Sequence, residues 1–589
     1  MDKKAILKKY DIVIVGGGMS GVCAAISAAR HNAKTALIQN RPVLGGNASS
    51  EIRMHICGAD SHGHRPDSRE TGILEEILLE NRRRNPQYSF SIFDTVLWEK
   101  CRFQEGLDLY LNTHMTDVVT ENGEIKKITA NQLTTEKTFE IEAKIFVDAT
   151  GDGTLAYLAG AAYMSGREGK SVFGERFAPD ESDSVTMGNT LLFKAVDAGK
   201  AVPFEKPFWA NSYTEEDLAF RGHEEITYGY WWIELGGDGL DVVADGEVIR
   251  DELLKAVYGV WDHIKNNGDH KADNFVLDWV GFLPGKRESR RIKGDYILKE
   301  QDLLEGKIFE DAVAYGGWPM DMHIAGGLKT KLEPTDFIHL DNVYTIPYRS
   351  LYSKDIKNLM LAGRAISTSH MAFGSTRVMA TCSVVGQAVG TAGAIAIEKG
   401  LIPSEVSLYI KELQQKLLKD DFYIPGFKNE DESDIAKAAK IVCSSAIEGS
   451  NCENVTNGIS RRVKEQSNCW ISEEMASGGE WLSLAFDSEI NVKEIHLKFD
   501  SNLSKEIMLS MSHRTQLKQV PGIPPELVKE YELVFYLNGK QVYTEKVSDN
   551  YYRFKVHKLE KPVACDKIVV NVLATNGDRH ARIFEIRVY

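Results

Sequence analysis

The feature that most constrains this chain is a glycine turn close to its N-terminus. The apolar run Ile12 to Val15 ends at a glycine triplet and precedes the alanine-rich stretch Val22 to Ala29, so this order predicts a strand, a tight turn and a helix. Three glycines have the GxGxxG spacing of dinucleotide-binding folds, namely Gly16, Gly18 and Gly21. The first permits the turn, the second lets a pyrophosphate approach the backbone, and the third lets helix and strand pack closely. Because the helix start offers free N–H groups to phosphate, the turn predicts a bound dinucleotide and redox chemistry.

Size and charge exclude several classes of protein. A chain of 589 residues is too long for one core, so we expect two to four domains. Its formal net charge of −15 argues against general binding to nucleic acid or to anionic membranes. No membrane span is expected, because no run reaches the roughly 20 apolar residues that cross a bilayer. The nearest run, Val384 to Ile397, contains Gln387 and Thr391 and indicates a buried helix.

Cysteine spacing and the chain start indicate the compartment. The eight cysteines form no CxxC pair, which argues against an iron–sulfur or zinc framework and favours reduced thiols. Four of them lie after residue 440, so a disulfide in that region stays open. Residues 1–6 lack the apolar core of a signal peptide. We therefore expect a cytoplasmic protein, unless a native leader has been trimmed.

Changes of pattern along the chain predict five segments. A second strand, Thr35 to Gln39, follows the glycine turn as a βαβ unit requires, and Asn122-Gly123 marks a hairpin. The middle is rich in aromatic residues, with a strand predicted at Trp231–Leu235 and a helix at Leu254–Asn266. After residue 441, short alternating strands predict an all-β sandwich. The expected domains are 1–160 (nucleotide-binding, first part, with a helical segment at about 50–106), 161–340 (inserted substrate domain), 341–402 (nucleotide-binding, final part), 403–440 (helical and acidic linker) and 441–589 (β-sandwich).

Three separated pieces favour FAD over NAD as the dinucleotide. Besides the glycine turn, Val147–Gly153 is a strand that ends in a glycine turn with an acid. Leu361–Arg364 is a further strand end, and a helix of small residues follows it. An NAD domain is normally continuous, whereas flavoproteins of the glutathione-reductase-like group divide theirs. The pattern therefore predicts FAD.

Together these pieces resemble a family of FAD-dependent oxidoreductases that is common in carbohydrate-degrading gut bacteria and distantly related to fumarate reductase flavoproteins. The resemblance is carried by Arg41–Glu51, Ala149–Gly153, Gly285–Arg291, Ala362–Arg364 and Gly386–Gly390. It implies an α/β, Rossmann-like FAD-binding domain with an inserted α+β substrate domain. It implies cofactor contacts from Gly16, Gly18, Met19, Ser20, Gly21, Gln39, Asn40, Arg41, Gly45, Gly46, Asn47, Ala48, Ser49, Met115, Ala149, Gly151, Asp152, Gly363, Arg364, Gly374 and Ser375.

Gln39 departs from the family pattern, since such folds usually end the second strand with Glu or Asp, which binds the adenosine ribose. An amide oxygen still accepts a ribose hydroxyl, but the position carries no charge to repel a 2′-phosphate. Asp152 resembles the acid near the ribityl–phosphate region of the family. Its alternative role is to cap its own loop, because Asp favours turns.

Candidate catalytic residues lie in three segments. Arg287–Arg291 is dense in charge and follows an apolar run, so we expect a buried cluster in which Arg290 or Arg291 holds substrate or flavin; a solvated helix start is the alternative. Asp321 lies two residues before His323, and an extended backbone would place both on one face, where the acid orients the base; a purely structural His is equally compatible. His370 and Arg377 follow Gly363-Arg364, a position beside the isoalloxazine ring in flavoproteins of this topology, and are the leading candidates for base and for flavin stabilisation.

No metal site is expected. His62 and His64 suggest a ligand pair, but no third ligand is apparent near them, so we interpret them as loop residues.

The C-terminal segment resembles discoidin-like, galactose-binding-like jelly rolls. The resemblance is carried by Val455–Gly458, Asn468–Trp470, Glu480–Leu484 and Phe584–Tyr589. Such modules bind glycans through loop aromatics, or serve as packing domains or dimer contacts, and fold alone does not decide between these roles. We favour the structural role.

Three functions are compatible with these observations. The leading hypothesis is an FAD-dependent oxidation of a hydroxylated small molecule (a sugar, uronate or glycoside), with hydride transfer to flavin N5 and His370 or His323 as base. The second is a fumarate-reductase-like reduction of an activated C=C bond, with Arg291 or Arg377 as acid or carboxylate clamp. The third is a glycan-binding protein with a vestigial flavin domain. The electron acceptor is open, and a homo-oligomer is compatible with the sequence.

Overall fold

The computed structural model describes residues 5–476 and 478–589. They form two compact units, one made of the chain up to Ser61, Gln87–Leu413 and Met508–Lys518, the other of His62–Pro86, Gln414–Ile507 and Gln519–Tyr589. The second unit thus includes residues 62–86 and 414–440, which the sequence assigned to the first domain and to a linker. Buried Arg69 is one reason, because its guanidinium binds Glu75 at 2.7 Å and the carbonyl of Ser501 at 3.1 Å, a long-range contact that no local pattern shows. The five domain boundaries otherwise stay predictions.

Strands and helices alternate at both ends of the first unit, whereas its middle consists of short elements. The first elements along the chain are β1 (Ile6–Val15), α1 (Met19–Arg30), β2 (Thr35–Ile38), α2 (Ile73–Arg84), α3 (Phe90–Arg102), β3 (Leu107–Tyr110), β4 (Thr113–Glu121), β5 (Glu124–Gln132) and β6 (Lys137–Asp148). Of these, α2 belongs to the second unit. The middle contains α4 (Thr154–Leu158), β7 (Tyr163–Met164), α5 (Lys170–Phe173), β8 (Asn189–Thr190), β9 (Phe193–Asp197), β10 (Glu234–Leu235), α6 (Gly246–Asp262), β11 (Phe275–Val280), β12 (Gly285–Lys286), β13 (Arg291–Ile292), α7 (Glu300–Leu304), β14 (Ala312–Gly316), β15 (Met320–His323), β16 (Thr335–Ile338) and β17 (Tyr344–Pro347). The last elements along the chain are β18 (Leu359–Leu361), α8 (His370–Thr376), α9 (Met379–Lys399), α10 (Ile410–Lys419), β19 (Lys440–Cys443), β20 (Trp470–Glu474), β21 (Glu480–Phe499), α11 (His513–Lys518), β22 (Val528–Leu537), β23 (Lys540–Val547), β24 (Phe554–Thr575) and β25 (His580–Val588). The strands from β19 to β25 belong to the second unit.

The largest sheet of the first unit has the order β3-β2-β1-β6-β5-β4, and β18 also pairs with β6. The strands β3, β2, β1, β6 and β18 pair in parallel, whereas β4 and β5 form the predicted antiparallel hairpin. The register places Val15 beside Asp148, and Asp148 beside Leu361. The three sequence pieces that favoured FAD therefore start from one edge of the sheet, at the carboxyl ends of its parallel strands.

Helix α9 packs closely on α1 because glycines remove side chains from the contact. A Cβ at Gly386 would lie 2.1 Å from the carbonyl oxygen of Ser20, and one at Gly390 would lie 2.2 Å from that of Ala24. Among the described residues, α9 is the one helix long and apolar enough to cross a membrane, but 94% of its most apolar window is buried inside the protein.

The middle segment differs in part from its sequence prediction. The strand predicted at Trp231–Leu235 is wrong for its first three residues, and only Glu234 and Leu235 form a strand, β10. The carbonyl of Trp231 accepts from Arg287 at 2.7 Å instead of joining a ladder, and the indole of Trp232 donates to the carbonyl of Gly222 at 2.9 Å. The predicted helix is confirmed, although it begins earlier, as α6, and continues as the π-helix His263–Asn267.

The C-terminal strands confirm the all-β prediction. They pair antiparallel in the order β20-β25-β21-β24-β22-β23, with β19 on β21. Asn538 and Gly539 form the predicted hairpin turn, with φ of 52° and 75°, the conformation that a two-residue hairpin favours.

Candidate functional site

The glycine turn has three distinct steric environments. A Cβ at Gly16 (φ +108°) would lie 2.2 Å from the carbonyl oxygen of Ala149, and one at Gly21 would lie 1.8 Å from that of Gly16. These glycines are required for packing inside the protein. A Cβ at Gly18 would meet nothing within 4 Å, so the space beside it is open to a ligand. The N–H of Gly45 donates to the carbonyl of Gly17 at 2.8 Å, which brings the Gly45-Gly46 loop to this turn.

Gln39 connects the same two loops. Its buried amide accepts from the N–H of Gly17 at 2.9 Å and donates to the carbonyl of Val43 at 3.1 Å. The side chain therefore has a structural role within the protein, although its oxygen keeps a second lone pair for a ribose hydroxyl.

Asp152 is held between cations and does not cap its own loop. Its carboxylate binds Lys286 at 2.7 Å and Ser289 at 3.0 Å, and lies 3.5 Å from Arg364. Burial opposes ionisation, but the charges of Arg364 and Lys286 outweigh it and lower the pKa of Asp152. The capping role belongs to Asp148, which accepts from the backbone N–H groups of Thr150 and Ala156 at 3.0 and 2.8 Å.

Polar atoms without partners face this region. The buried Ser20 Oγ and Arg364 Nη1 have no hydrogen-bond partner in the part of the chain that the structure describes. Gly363, the residue before Arg364, packs closely on Ser20, since a Cβ there would lie 3.3 Å from Cβ of Ser20. A buried donor without a partner is costly, so these two atoms and the open space at Gly18 fit a phosphate-bearing dinucleotide.

The other predicted cofactor residues have varied surroundings. Asn47 donates to the carbonyl of Lys286 at 3.0 Å, and Arg41 lies 3.7 Å from Glu51. Asn40 is exposed, whereas Ala48, Ser49 and Met115 are buried. A Cβ at Gly151 would lie 2.6 Å from Nη2 of Arg364.

Gly374 and Ser375 are engaged within the protein. A Cβ at Gly374 would lie 2.6 Å from Sδ of Met322, which explains the glycine where α8 packs on β15. The hydroxyl of Ser375 lies 2.7 Å from that of Tyr344 and donates to the carbonyl of Trp318 at 2.5 Å. These contacts give both residues a structural role within the protein, and their contact with a cofactor stays a prediction.

The charged segment Lys286–Arg291 joins the Asp152 loop to a buried pair of side chains, Glu288 and His370. Oε1 of Glu288 lies 2.9 Å from Nδ1 of His370, and its Oε2 accepts from the N–H of Met187 at 3.0 Å. Burial opposes ionisation of Glu288, but His370 and Arg291 outweigh it and lower its pKa. The segment is buried, as predicted, apart from half-buried Lys286 and Arg290.

A second carboxylate–histidine pair lies at Glu234 and His323. Oε2 of Glu234 lies 2.5 Å from Nδ1 of His323 and 3.4 Å from Arg287. Oδ2 of Asp321 lies 3.4 Å from Nε2 of the same imidazole and 2.7 Å from Arg377. Because both nitrogens of His323 face carboxylates, neither offers a lone pair to a substrate.

Arg291 and Arg377 differ in how fully their guanidinium nitrogens are hydrogen-bonded. Arg291 is fully buried and donates to the carbonyls of Thr368 and Gly166 at 3.1 and 2.8 Å, to Glu168 at 2.7 Å, and to Glu288. These contacts argue against the predicted role of Arg291 as a substrate clamp. Nε of Arg377 is buried without a hydrogen-bond partner among the described residues.

Arg290 contacts protein groups on both sides. It donates to the carbonyl of Asp152 at 3.2 Å, and its guanidinium lies 4.1 Å from the ring centre of Tyr157. It therefore flanks the Asp152 loop rather than the His370 pair.

Sequence reasoning missed the partners Glu288 and Glu234. Glu288 lay within the charged run, and Glu234 is a lone carboxylate in an aromatic segment, which is an unusual place for an acid. Their histidines are 82 and 89 positions away along the chain, so the pairing had no local signal.

Comparison with solved structures finds carbohydrate-binding modules at low similarity. A fucose-binding module of Streptococcus pneumoniae is 13% identical with a TM-score of 0.21, and the match covers 27% of this chain and 97% of that one. A family 32 module of C. perfringens NanJ, solved with galactose, is 14% identical with a TM-score of 0.20, covering 26% and 97%. Scores this low support no conclusion about fold or function.

Two curated relatives match short stretches. The soluble pyridine nucleotide transhydrogenase of Marinobacter nauticus is 48% identical over 40 residues, which is 7% of this chain and 9% of that protein. The enzyme of the same name from Stutzerimonas stutzeri is 25% identical over 143 residues, which is 21% of this chain and 29% of that protein. The match therefore spans less than a third of either relative.

A family model described as FAD dependent oxidoreductase matches residues 11–417, which is more than half of the chain. Membership implies an oxidoreductase with FAD as its cofactor. The matched region contains the glycine turn, the Asp152 loop and both carboxylate–histidine pairs. This chain therefore belongs to the FAD-dependent oxidoreductase family.

Proposed function

We propose that this enzyme oxidises a hydroxylated small molecule, a sugar, uronate or glycoside, with His370 as base. The observation that carries the proposal is the segment Lys286–Arg291, whose side chains bind Asp152 on the cofactor side and His370 on the other. One stretch of backbone thus connects the proposed cofactor site to a paired histidine.

The cofactor would lie against a Rossmann-like βαβ unit and the loops around it. Gly18 leaves room for the pyrophosphate, and Ser20 Oγ and Arg364 Nη1 supply donors that have no hydrogen-bond partner within residues 5–476 and 478–589. The Gly45–Ser49 loop and Asp152 are the other proposed contacts of the cofactor. When bound there, FAD would supply the acceptor for a hydride, with its electron pair, from the substrate carbon that carries the hydroxyl.

His370 would take the hydroxyl proton as that hydride leaves, so that the alcohol becomes a carbonyl compound. Nδ1 of His370 faces Glu288, so its proton is held there and the lone pair of the ring lies on Nε2. Glu288 then stabilises the positive charge that the imidazole gains. His323 is the weaker candidate because both its nitrogens face carboxylates.

The carbohydrate class of substrate is proposed from the family resemblance of the sequence. The C-terminal all-β region is proposed as a jelly roll with a packing role. The electron acceptor stays open, and the homo-oligomer and the cytoplasmic location stay predictions.

Anaerobic mixing with sugars, polyols and uronates tests the proposal. We expect at least one of these compounds to bleach the flavin absorbance of the purified protein, and a His323→Gln variant to retain that reaction. Failure of every hydroxylated compound would refute this function while leaving the family assignment intact.

A second candidate is reduction of an activated C=C bond in an unsaturated acid. Its support is Arg377, whose buried Nε has no hydrogen-bond partner among the described residues and could hold a substrate carboxylate. Chemically reduced enzyme would then be reoxidised by an unsaturated acid in the absence of oxygen, and an Arg377→Gln variant would lose this reaction. If the acid does not reoxidise reduced wild-type enzyme, this candidate fails.

A further inference from the structure

A second cluster of titratable side chains lies in the first unit, outside the residues described above. Its members are Glu215, His223, His263 and His270, and one ligand atom from each lies within 4.8 Å of all the others. Glu215 Oε1 is 3.1 Å from Nε2 of His263 and 3.3 Å from Nε2 of His270. Its Oε2 is 3.6 Å from Nε2 of His223. Three imidazole nitrogens and one carboxylate therefore converge on one point.

The second nitrogens of two of these imidazoles fix their tautomers. Nδ1 of His223 lies 2.5 Å from the carbonyl oxygen of Arg221, and Nδ1 of His263 lies 3.2 Å from that of Tyr213. A carbonyl only accepts, so each Nδ1 carries a proton, and in the neutral ring each Nε2 then presents its lone pair to the cluster. Metal-binding histidines in proteins commonly have this arrangement. Lone pairs that converge in this way beside a carboxylate repel one another unless a cation lies between them.

The local backbone makes room for the cluster. His263 begins the π-helix His263–Asn267, and π turns are frequent at functional sites. A Cβ at Gly268 would lie 2.2 Å from Nε2 of His270, so glycine at this position clears space for the ring. The side chain of His263 is 1% exposed, whereas that of Glu215 is 65% exposed, which leaves an entry path on the carboxylate side.

We infer that these four residues form a zinc site. Three nitrogen ligands and one carboxylate oxygen match the four-coordinate preference of Zn²⁺, whereas Ca²⁺ and Mg²⁺ prefer oxygen ligands. Four protein ligands leave no open position, so the site is structural: it ties the loop around Glu215 and His223 to the end of α6. The sequence did not indicate this site, since its four ligands are spread from 215 to 270 without a short-spaced pair.

Metal content of the full-length protein tests the inference. We expect wild-type protein, loaded with zinc and then desalted, to retain about one zinc per chain by elemental analysis. The variants Glu215→Gln and His223→Ala/His270→Ala should lose it, whereas His114→Ala, at an exposed position on β4, should keep it. Substitution with cobalt should give the visible absorption of a tetrahedral ion in wild type and in the control variant only.

Thermal unfolding supplies a readout independent of activity. Removal of zinc by a chelator should lower the Tm of wild type and of His114→Ala, and added zinc should restore it, with no such response in His223→Ala/His270→Ala. Unchanged circular dichroism of Glu215→Gln, whose side chain is largely exposed, shows that loss of metal there is not loss of fold. Equal zinc content in wild type and the ligand variants, or retention of another metal but not of zinc, would overturn the assignment.

Discussion

Nδ1 of His370 lies 2.9 Å from Oε1 of Glu288, and both side chains are buried. The other oxygen of Glu288 accepts from the N–H of Met187 at 3.0 Å, while the N–H of the next residue, Gly188, donates to Glu234 at 2.7 Å. Consecutive backbone N–H groups thus hold the carboxylates of both carboxylate–histidine pairs. Because a carboxylate fixes the orientation of its imidazole, the two histidines are positioned by the same turn of the chain.

Replacement of His370 by Ala should abolish flavin reduction while FAD stays bound. Loss of a positioned base costs about 10²–10⁴-fold in rate, and the cofactor contacts proposed above do not include this side chain. Anaerobic stopped-flow measurement of flavin bleaching with an active substrate provides the rate, and the flavin spectrum provides the occupancy. A variant that is reduced at the wild-type rate would show that His370 is not the base.

Replacement of Glu288 by Gln should slow flavin reduction while FAD stays bound. The amide keeps the shape of the side chain but removes the negative charge that stabilises the positive imidazole formed when His370 takes the substrate proton. Anaerobic stopped-flow measurement of flavin bleaching gives the rate, and Glu300→Gln, at another buried acid in the first unit, serves as the control and should keep the wild-type rate. Equal rates for Glu288→Gln and wild type would contradict this role of the carboxylate.

Two alanine substitutions in the glycine turn should have opposite consequences. Gly18→Ala should fold with nearly wild-type stability, because its Cβ meets nothing within 4 Å, yet weaken FAD binding by roughly tenfold or more. Gly21→Ala should lower the free energy of unfolding by about 1–3 kcal/mol or more, because its Cβ would lie 1.8 Å from the carbonyl oxygen of Gly16. Denaturant unfolding and FAD titration of both variants separate the two effects. Normal FAD affinity in Gly18→Ala would contradict a pyrophosphate at this position.

A buried ion pair in the C-terminal region should make stability depend on pH. Glu585 lies 2.6 Å from Lys498 and 3.0 Å from Arg587. Burial opposes its ionisation, but these two charges outweigh it and lower its pKa to about 2. Since the pKa in the unfolded chain is near 4.5, the stabilisation is complete above that value and is lost as pH falls toward about 2.

The variant Glu585→Gln should therefore lower the free energy of unfolding by about 3–5 kcal/mol near neutral pH, because it leaves two buried cations unpaired. The difference in unfolding free energy between wild type and variant should stay constant from neutral pH to about pH 5 and narrow as pH falls from there toward about 2. Glu489→Gln, at an exposed position in β21, should behave like wild type throughout. If the difference in unfolding free energy between wild type and Glu585→Gln did not change with pH, Glu585 would act by its shape rather than by its charge.

The sequence by itself determined the elements whose signals are local. The sequence predicted the strand, glycine turn and helix at Ile12–Ala29, because GxGxxG spacing and a change of hydrophobic period are properties of neighbouring residues. The hairpin at Asn538-Gly539 was readable because a two-residue turn demands residues that accept positive φ. The small residues of α9 likewise predicted the close approach of another backbone. The order of these local signals carried the resemblance to FAD-dependent oxidoreductases.

Only the tertiary structure decided which distant side chains meet. Glu288 with His370, and the ligand set from Glu215 to His270, depend on loops whose course is set by long-range packing. The side chains of Gln39, Arg291 and Ser375, which the sequence predicted as ligand contacts, also form hydrogen bonds to distant protein groups that no local pattern indicated. The physical reason is that a buried polar group must find a partner, and the fold, not the neighbouring sequence, determines which partner lies within hydrogen-bond distance.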